Sequence, residues 1–142
     1  MIYTILTKKA LNIAFEAHKD QLDKSGLPYT FHPFHLAEQM NDEYTTCIAL
    51  LHDVVEDSSY TIQDLIEIGF PTQVIEAIIV LTHFKDMPYF DYINRVKNNP
   101  IATRVKIEDL KHNSDLTRLN EISDEDLKRM EKYKKALFIL KN

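Results

Sequence analysis

No stretch of this 142-residue chain sustains the apolar–polar alternation that a half-buried strand requires, and its apolar residues recur instead at helical spacing between widely set breakers. Over residues 7–21, Ala10, Leu11, Ile13, Ala14, Phe15 and Ala17 mark one apolar face, which Ser25-Gly26-Leu27-Pro28 brings to an end. Pro33 suits the first turn of the next helix and biases His32 towards an extended N-cap. Residues 45–55 and 74–81 are apolar almost without interruption, which marks two central helices covered on most sides. Between them, Thr61-Ile62-Gln63-Asp64 reads as a capped start, and Gly69 with Pro71 as a stop. Pro88 and Pro100 begin two further segments. Ser123-Asp124-Glu125-Asp126 opens the last one with a Ser cap, acids in the first turn, Asp126 at the capping-box position and lysines towards its end. The expected fold is all-α, a compact bundle of seven to eight helices, with no linker long enough to divide residues 1–142 into two domains.

Counting residues excludes several chemistries. Gly26 and Gly69 are the only glycines, too few for a dinucleotide-binding fingerprint and wrongly placed for a P-loop, so any phosphate must be held by other means. The single cysteine, Cys47, rules out an internal disulfide and a thiolate-rich zinc site, and fits a reducing, cytoplasmic setting. Residues 1–9 lack the basic and apolar regions of a secretory signal, and no apolar run has the length of a membrane span. With 17 Lys and Arg against 22 Asp and Glu, the net charge is −5, and no basic stripe breaks it. Duplex nucleic acid is therefore not expected as a partner, whereas a small anion in a local basic pocket is compatible.

His52-Asp53 stands out because it lies between the apolar runs Cys47-Ile48-Ala49-Leu50-Leu51 and Val54-Val55. A carboxylate buried there needs compensation worth several kcal/mol. A divalent cation supplies it; an internal Asp–His hydrogen bond or a solvent-facing stripe is the competing reading. If the helix continues, His52 and Glu56 stack one turn apart, as do Asp53 and Asp57, giving two adjacent rows of acid and imidazole. Further candidate ligands are His32, set between Pro28 and Pro33, and Asp109, with Asn113 one turn beyond it. Mixed imidazole and carboxylate donors suit Mn²⁺, Fe²⁺, Zn²⁺ or Co²⁺ better than Mg²⁺ or Ca²⁺.

These motifs, together with Ala17-His18, Gln21, Lys24-Ser25-Gly26, Pro28-Tyr29, the run from Ala49 to Asp57 and Lys106-Ile107-Glu108-Asp109, occur in one order over residues 10–119. The pattern resembles the HD-superfamily metal-dependent phosphohydrolases, and within them the (p)ppGpp hydrolase domain of RelA/SpoT-type proteins and their small stand-alone relatives. The resemblance implies one divalent metal ion, usually Mn²⁺, ligated by His32, His52, Asp53 and Asp109, with Glu56 and Asp57 as the catalytic acidic pair. It also implies a small-molecule nucleotide substrate, from which a 3′-pyrophosphate is removed by a water that the cation activates. Asn113 matches a residue near that substrate. Lys24, Lys106, Lys111 and Arg104 are phosphate partners or solvated surface charges, and Tyr29 packs beside the site, bonds a phosphate or wedges its loop.

One residue departs from the family pattern: Asp23 stands where its long members carry an arginine associated with the base and phosphates. That departure keeps a second reading open, hydrolysis of another nucleotide or phosphoester. A non-catalytic nucleotide-binding module is a third, against which the intact Glu56-Asp57 pair argues. His18 is expected to support the site by hydrogen bonding, His35 to sit at the surface or helix start, and His83 to bond carbonyls at a helix end. His112 replaces nothing the pattern requires, and the final helix is generic.

Overall fold

The computed structural model describes residues 1–142 and is helical throughout, with a single Leu22–Pro28 bridge closing the loop after the first helix. That helix, α1, spans Ile5–His18, starting from a capping box between Thr4 and Thr7 and ending three residues before the expected limit. Helix α2 spans Phe31–Glu38. His32 therefore lies inside the first turn, not extended ahead of it. Bonds from Phe31 N to Pro28 O and from His32 N to Tyr29 O wind the chain before Pro33 and outweigh that proline's local bias. Pro33 itself costs nothing there, because the first amides of a helix have no intrahelical acceptor.

Helix α3, Glu43–Leu51, is capped by Asp42 and buried at every position from Thr45 to Leu51. It does not continue through His52. The His52 Nδ1 takes the Ala49 carbonyl at 2.7 Å, an acceptor that a continuing helix would offer to the Asp53 amide. Asp53 then turns at φ −104°, ψ −2°, into the single-turn helix α4, Val54–Asp57. The expected stacking of His52 over Glu56 along one continuous helix is thus replaced by a corner.

Beyond it run α5 (Ile62–Ile68), α6 (Thr72–Leu81), α7 (Tyr89–Lys97), α8 (Pro100–Asn113), a 3₁₀ turn (Leu116–Arg118) and α9 (Asp124–Lys141). Their ends carry the anticipated signals: the Thr61/Asp64 capping box, Gly69 at φ 107°, Pro100 in the first turn of α8, and the Ser123/Asp126 capping box; Asn99, which caps α8 by accepting from Ala102 N, was not among them. Eight helices have seven residues or more, and α4 is a ninth of four. Helix α3 is the axis of the molecule, packed by α1, α2, α6 and α8, while α9 closes over α7 and α8. One cluster of 27 buried apolar residues runs through these contacts. It delivers the start of α2, the end of α3 and the second half of α8 to one place.

Candidate functional site

Asp109 is the hub of that place. The Oδ1 lies 2.8 Å from His32 Nε2, 3.0 Å from Asn113 Nδ2 and 3.6 Å from His52 Nε2, while Oδ2 accepts from Lys106 Nζ at 2.7 Å. His32, His52 and Asp109 are all buried, and each offers a ligand atom within 4.8 Å of the others. With His52 Nδ1 donating to the Ala49 carbonyl, the neutral imidazole has its lone pair on Nε2, which faces Asp53 Oδ2 at 2.9 Å and forms no directed hydrogen bond. A lone pair against two carboxylates needs positive charge between them. Burial pulls the His52 imidazole down, but Asp53 and Asp109 outweigh it and hold it well above its ordinary value. A pocket that draws a proton this strongly also suits a cation, and two nitrogens with carboxylate oxygen match a divalent transition ion.

Asp53 stands beside the three-residue cluster, its side chain 20% exposed and its Oδ2 bonded by the Tyr29 hydroxyl. Burial would raise its carboxyl, but the neighbouring His52 brings it down to about 2. Tyr29 packs between His18 and His32, with ring centroids 4.8 and 5.7 Å away. His18 supports the site as expected: Nδ1 bonds Gln21 Oε1 at 2.8 Å, and Gln21 Nε2 donates to the Asp57 carbonyl at 2.7 Å. The acidic turn is thereby tied to α1. Its other side is held by the His83 amide, which donates to Glu56 Oε1 at 2.6 Å. Partial burial raises the Glu56 carboxyl, aided by Asp53 and Asp57 and opposed by the His83 amide; burial and Asp53 raise Asp57 as well. The His83 ring bonds the Met87 carbonyl at 2.7 Å, in the loop before α7, and not a carbonyl at the end of α6 as expected; Tyr92 takes the Leu81 carbonyl instead.

Two cavities meet at the cluster. The inner one, about 160 Å³, is bounded by His52, Asp53, Glu56, Tyr89, Lys106 and Asp109. The outer one, about 330 Å³, is bounded by Asp23, Lys24, Tyr29, His32, Arg118 and Arg129, and both reach Asn113 and Tyr133. Among the expected substrate contacts, Lys24 and Tyr29 therefore border the outer cavity, Lys106 the inner one, and Asn113 both. Lys106 is also committed to Asp109, so its charge bears first on a candidate ligand.

Sequence reasoning passed over four residues. His112 Nδ1 lies 2.7 Å from His32 Nδ1, which fixes the outward edge of that imidazole, and its ring stacks on the half-buried His35 at 4.1 Å. Its placement three residues after Asp109 on one helix was the available signal. Burial pushes His112 down to about 4 and keeps it neutral. Arg118, Arg129 and Tyr133 line the outer cavity, two of them from α9, so the final helix is more than generic cover.

No protein-family model matches the chain. It is 40% identical over 75 residues to the bifunctional (p)ppGpp synthase/hydrolase SpoT of Escherichia coli K12, covering 50% of this chain and 10% of that protein. A "probable GTP pyrophosphokinase" of Mycobacterium leprae is 42% identical over 66 residues, 44% of this chain and 8% of that protein. Its relatives are RelA/SpoT-type proteins. A third, a "probable guanosine-3′,5′-bis(diphosphate) 3′-pyrophosphohydrolase" of Mycoplasma pneumoniae, is 35% identical over 81 residues, 54% of this chain and 11% of that protein. The match thus spans about a tenth of the length of these RelA/SpoT-type relatives. A solved structure from the same group, a metazoan orthologue of SpoT described as hydrolysing ppGpp, shares the fold with a TM-score of 0.77 at 22% identity. That likeness covers 99% of this chain and 87% of the other, so the helical architecture expected from the resemblance is the one found.

Proposed function

We propose that this chain is an HD-type phosphohydrolase that removes the 3′-pyrophosphate of (p)ppGpp-like guanosine nucleotides, using one divalent ion, Mn²⁺, in the cytoplasm. The observation that carries the proposal is the buried His52 Nε2, which lacks a hydrogen-bond partner inside a His32–His52–Asp109 cluster and beside the Glu56-Asp57 turn. The names of the RelA/SpoT-type relatives support the substrate class.

His32, His52 and Asp109 would hold the ion, with Asp53 as the fourth ligand. When bound, it acidifies a water and neutralises phosphoryl charge. The chain's own groups do the rest. Lys106 and Asn113 fix the two oxygens of Asp109, His112 fixes the His32 ring, and the Ala49 carbonyl fixes the His52 ring. Glu56, with its carboxyl raised, accepts a proton from the attacking water, and the His83 amide keeps its Oε1 in place. Asp57, one residue on, orients the same water.

The test is pyrophosphate release by purified, Mn²⁺-loaded protein from ppGpp, pppGpp, NADPH and common nucleotides, with metal content measured in parallel. The expected result is one ion per chain, lost in Asp109→Ala, release from ppGpp, and a loss of about 10²-fold or more in kcat for Glu56→Gln. Release only from a different nucleotide would favour the second substrate reading. Binding of nucleotide with no turnover of any would favour a binding module.

A further inference from the structure

The outer cavity carries three cationic side chains, and they are not equivalent. Arg129 is paired with Asp126 on its own helix, whereas Lys24 pairs with no acid. Arg118 is clamped from two sides: one guanidinium nitrogen donates to the His112 carbonyl at 2.9 Å, the other to Asp23 Oδ2 at 3.3 Å. Asp23 and Arg118 lie 95 positions apart in the chain, and their side chains are only 12% and 22% exposed, so this pair ties the α1–α2 loop to the 3₁₀ turn across the cavity wall.

The two carboxylate oxygens of Asp23 have separate duties. The Oδ1 accepts from Ser25 N, Ser25 Oγ and Leu27 N at 2.9, 2.6 and 3.0 Å, which builds the turn around Gly26. Only Oδ2 reaches Arg118. Burial works against the Asp23 charge, but these donors and the guanidinium hold its carboxyl below the ordinary range, so the acid is ionised at neutral pH. The guanidinium presented to the cavity is therefore largely neutralised. Lys24 is then the one cation there not already paired, and its charge is offset by Asp115, which lines the same cavity and is paired with no cation.

We propose that the Asp23–Arg118 pair sets the charge selectivity of the outer cavity, making it accept the remote part of a nucleotide with little regard to how many 5′-phosphates it carries. This deepens the phosphohydrolase reading and rests on it for the class of ligand. Asp23→Asn isolates the effect, because Asn keeps the Oδ1 acceptor that holds the turn while removing the charge that faces Arg118.

The test is calorimetric binding of GMP, GDP and GTP at fixed ionic strength to protein loaded with Mn²⁺ and freed of excess metal. The proteins compared are the wild type, Asp23→Asn, Arg118→Gln and the double variant, with thermal melts confirming that each is folded. The wild type should bind the three within about threefold of one another, and Asp23→Asn should prefer GTP over GMP by about tenfold, the effect of one unmasked charge near a protein surface. The double variant should return to the flat series. A wild type that already ranks GTP tenfold over GMP, a flat series in Asp23→Asn, a preference that survives loss of Arg118, or no binding by any protein would each overturn the proposal. Pyrophosphate release from ppGpp is assayed on the same samples. Its absence with the binding series as expected would remove the proposed reaction and leave the charge selectivity standing.

Discussion

Lys106 and Asp109 stand three residues apart on α8, both largely enclosed, with an ammonium–carboxylate distance of 2.7 Å. From the sequence, Lys106 reads as a phosphate partner or a solvated surface charge. In the structure its ammonium stands over the Tyr92 ring, 5.3 Å from the centroid, and its charge compensates Asp109. Burial would strip the proton from this lysine, yet Asp109 holds it well above the ordinary value. Removing one partner from such a pair leaves the other buried without a counter-charge, at a cost of about 3–5 kcal/mol. Asp109→Ala, unfolded in urea with a chelator present, should lose stability on that scale. Lys106→Met in the same background should recover about half of it; a double variant no more stable than the single would show that the pairing carries no weight.

Among the elements, α5 is the simplest case, bounded by Thr61 and Gly69. A Cβ added at Gly69 meets nothing within 4 Å, so the whole penalty of Gly69→Ala is the backbone cost of φ 107°, about 1 kcal/mol. Thermal melts should show that loss, and Gly69→Asn should restore part of it, since Asn tolerates the left-handed region. A melting temperature unchanged by Ala would mean that the turn relaxes. This helix, like α8 and α9, was legible in the sequence because its stop and start residues act locally. The corner at His52-Asp53 was not. Apolar residues continue through Val54-Val55, and no proline or glycine interrupts them; the helix ends because an imidazole competes for the Ala49 carbonyl. His32 inside α2 is similar, a local proline bias overridden by turn hydrogen bonds. At the site, His52 and Asp53 were legible as polar groups in apolar surroundings, whereas His32 and Asp109, among polar or proline neighbours, joined them only through the resemblance to the family. Arg118, Arg129 and Tyr133 were not legible, because a basic or aromatic residue, in a turn as on a helix, reads the same in the sequence whether it faces solvent or a cavity.

Across the whole molecule, the candidate ligands come from α2, the end of α3 and α8, so a bound ion joins three segments that are distant in the chain. A ligand that binds only the folded state stabilises it by about 2.7 kcal/mol at a hundredfold excess over its Kd. For a chain of this size, melts with saturating Mn²⁺ against chelator should differ by roughly 8 °C. Asp109→Ala should show no such difference, and equal melts of the wild type would mean that the cluster holds no ion. The walls of the two cavities have a consequence of their own. Asn113 and Tyr133 belong to both, and so form a sill between them. A phosphoester small enough to stay on the His52 side never meets Arg118 or Arg129. A longer molecule that fills both sides has to pass Asn113 and Tyr133, so length alone decides which visitors come within reach of the arginines.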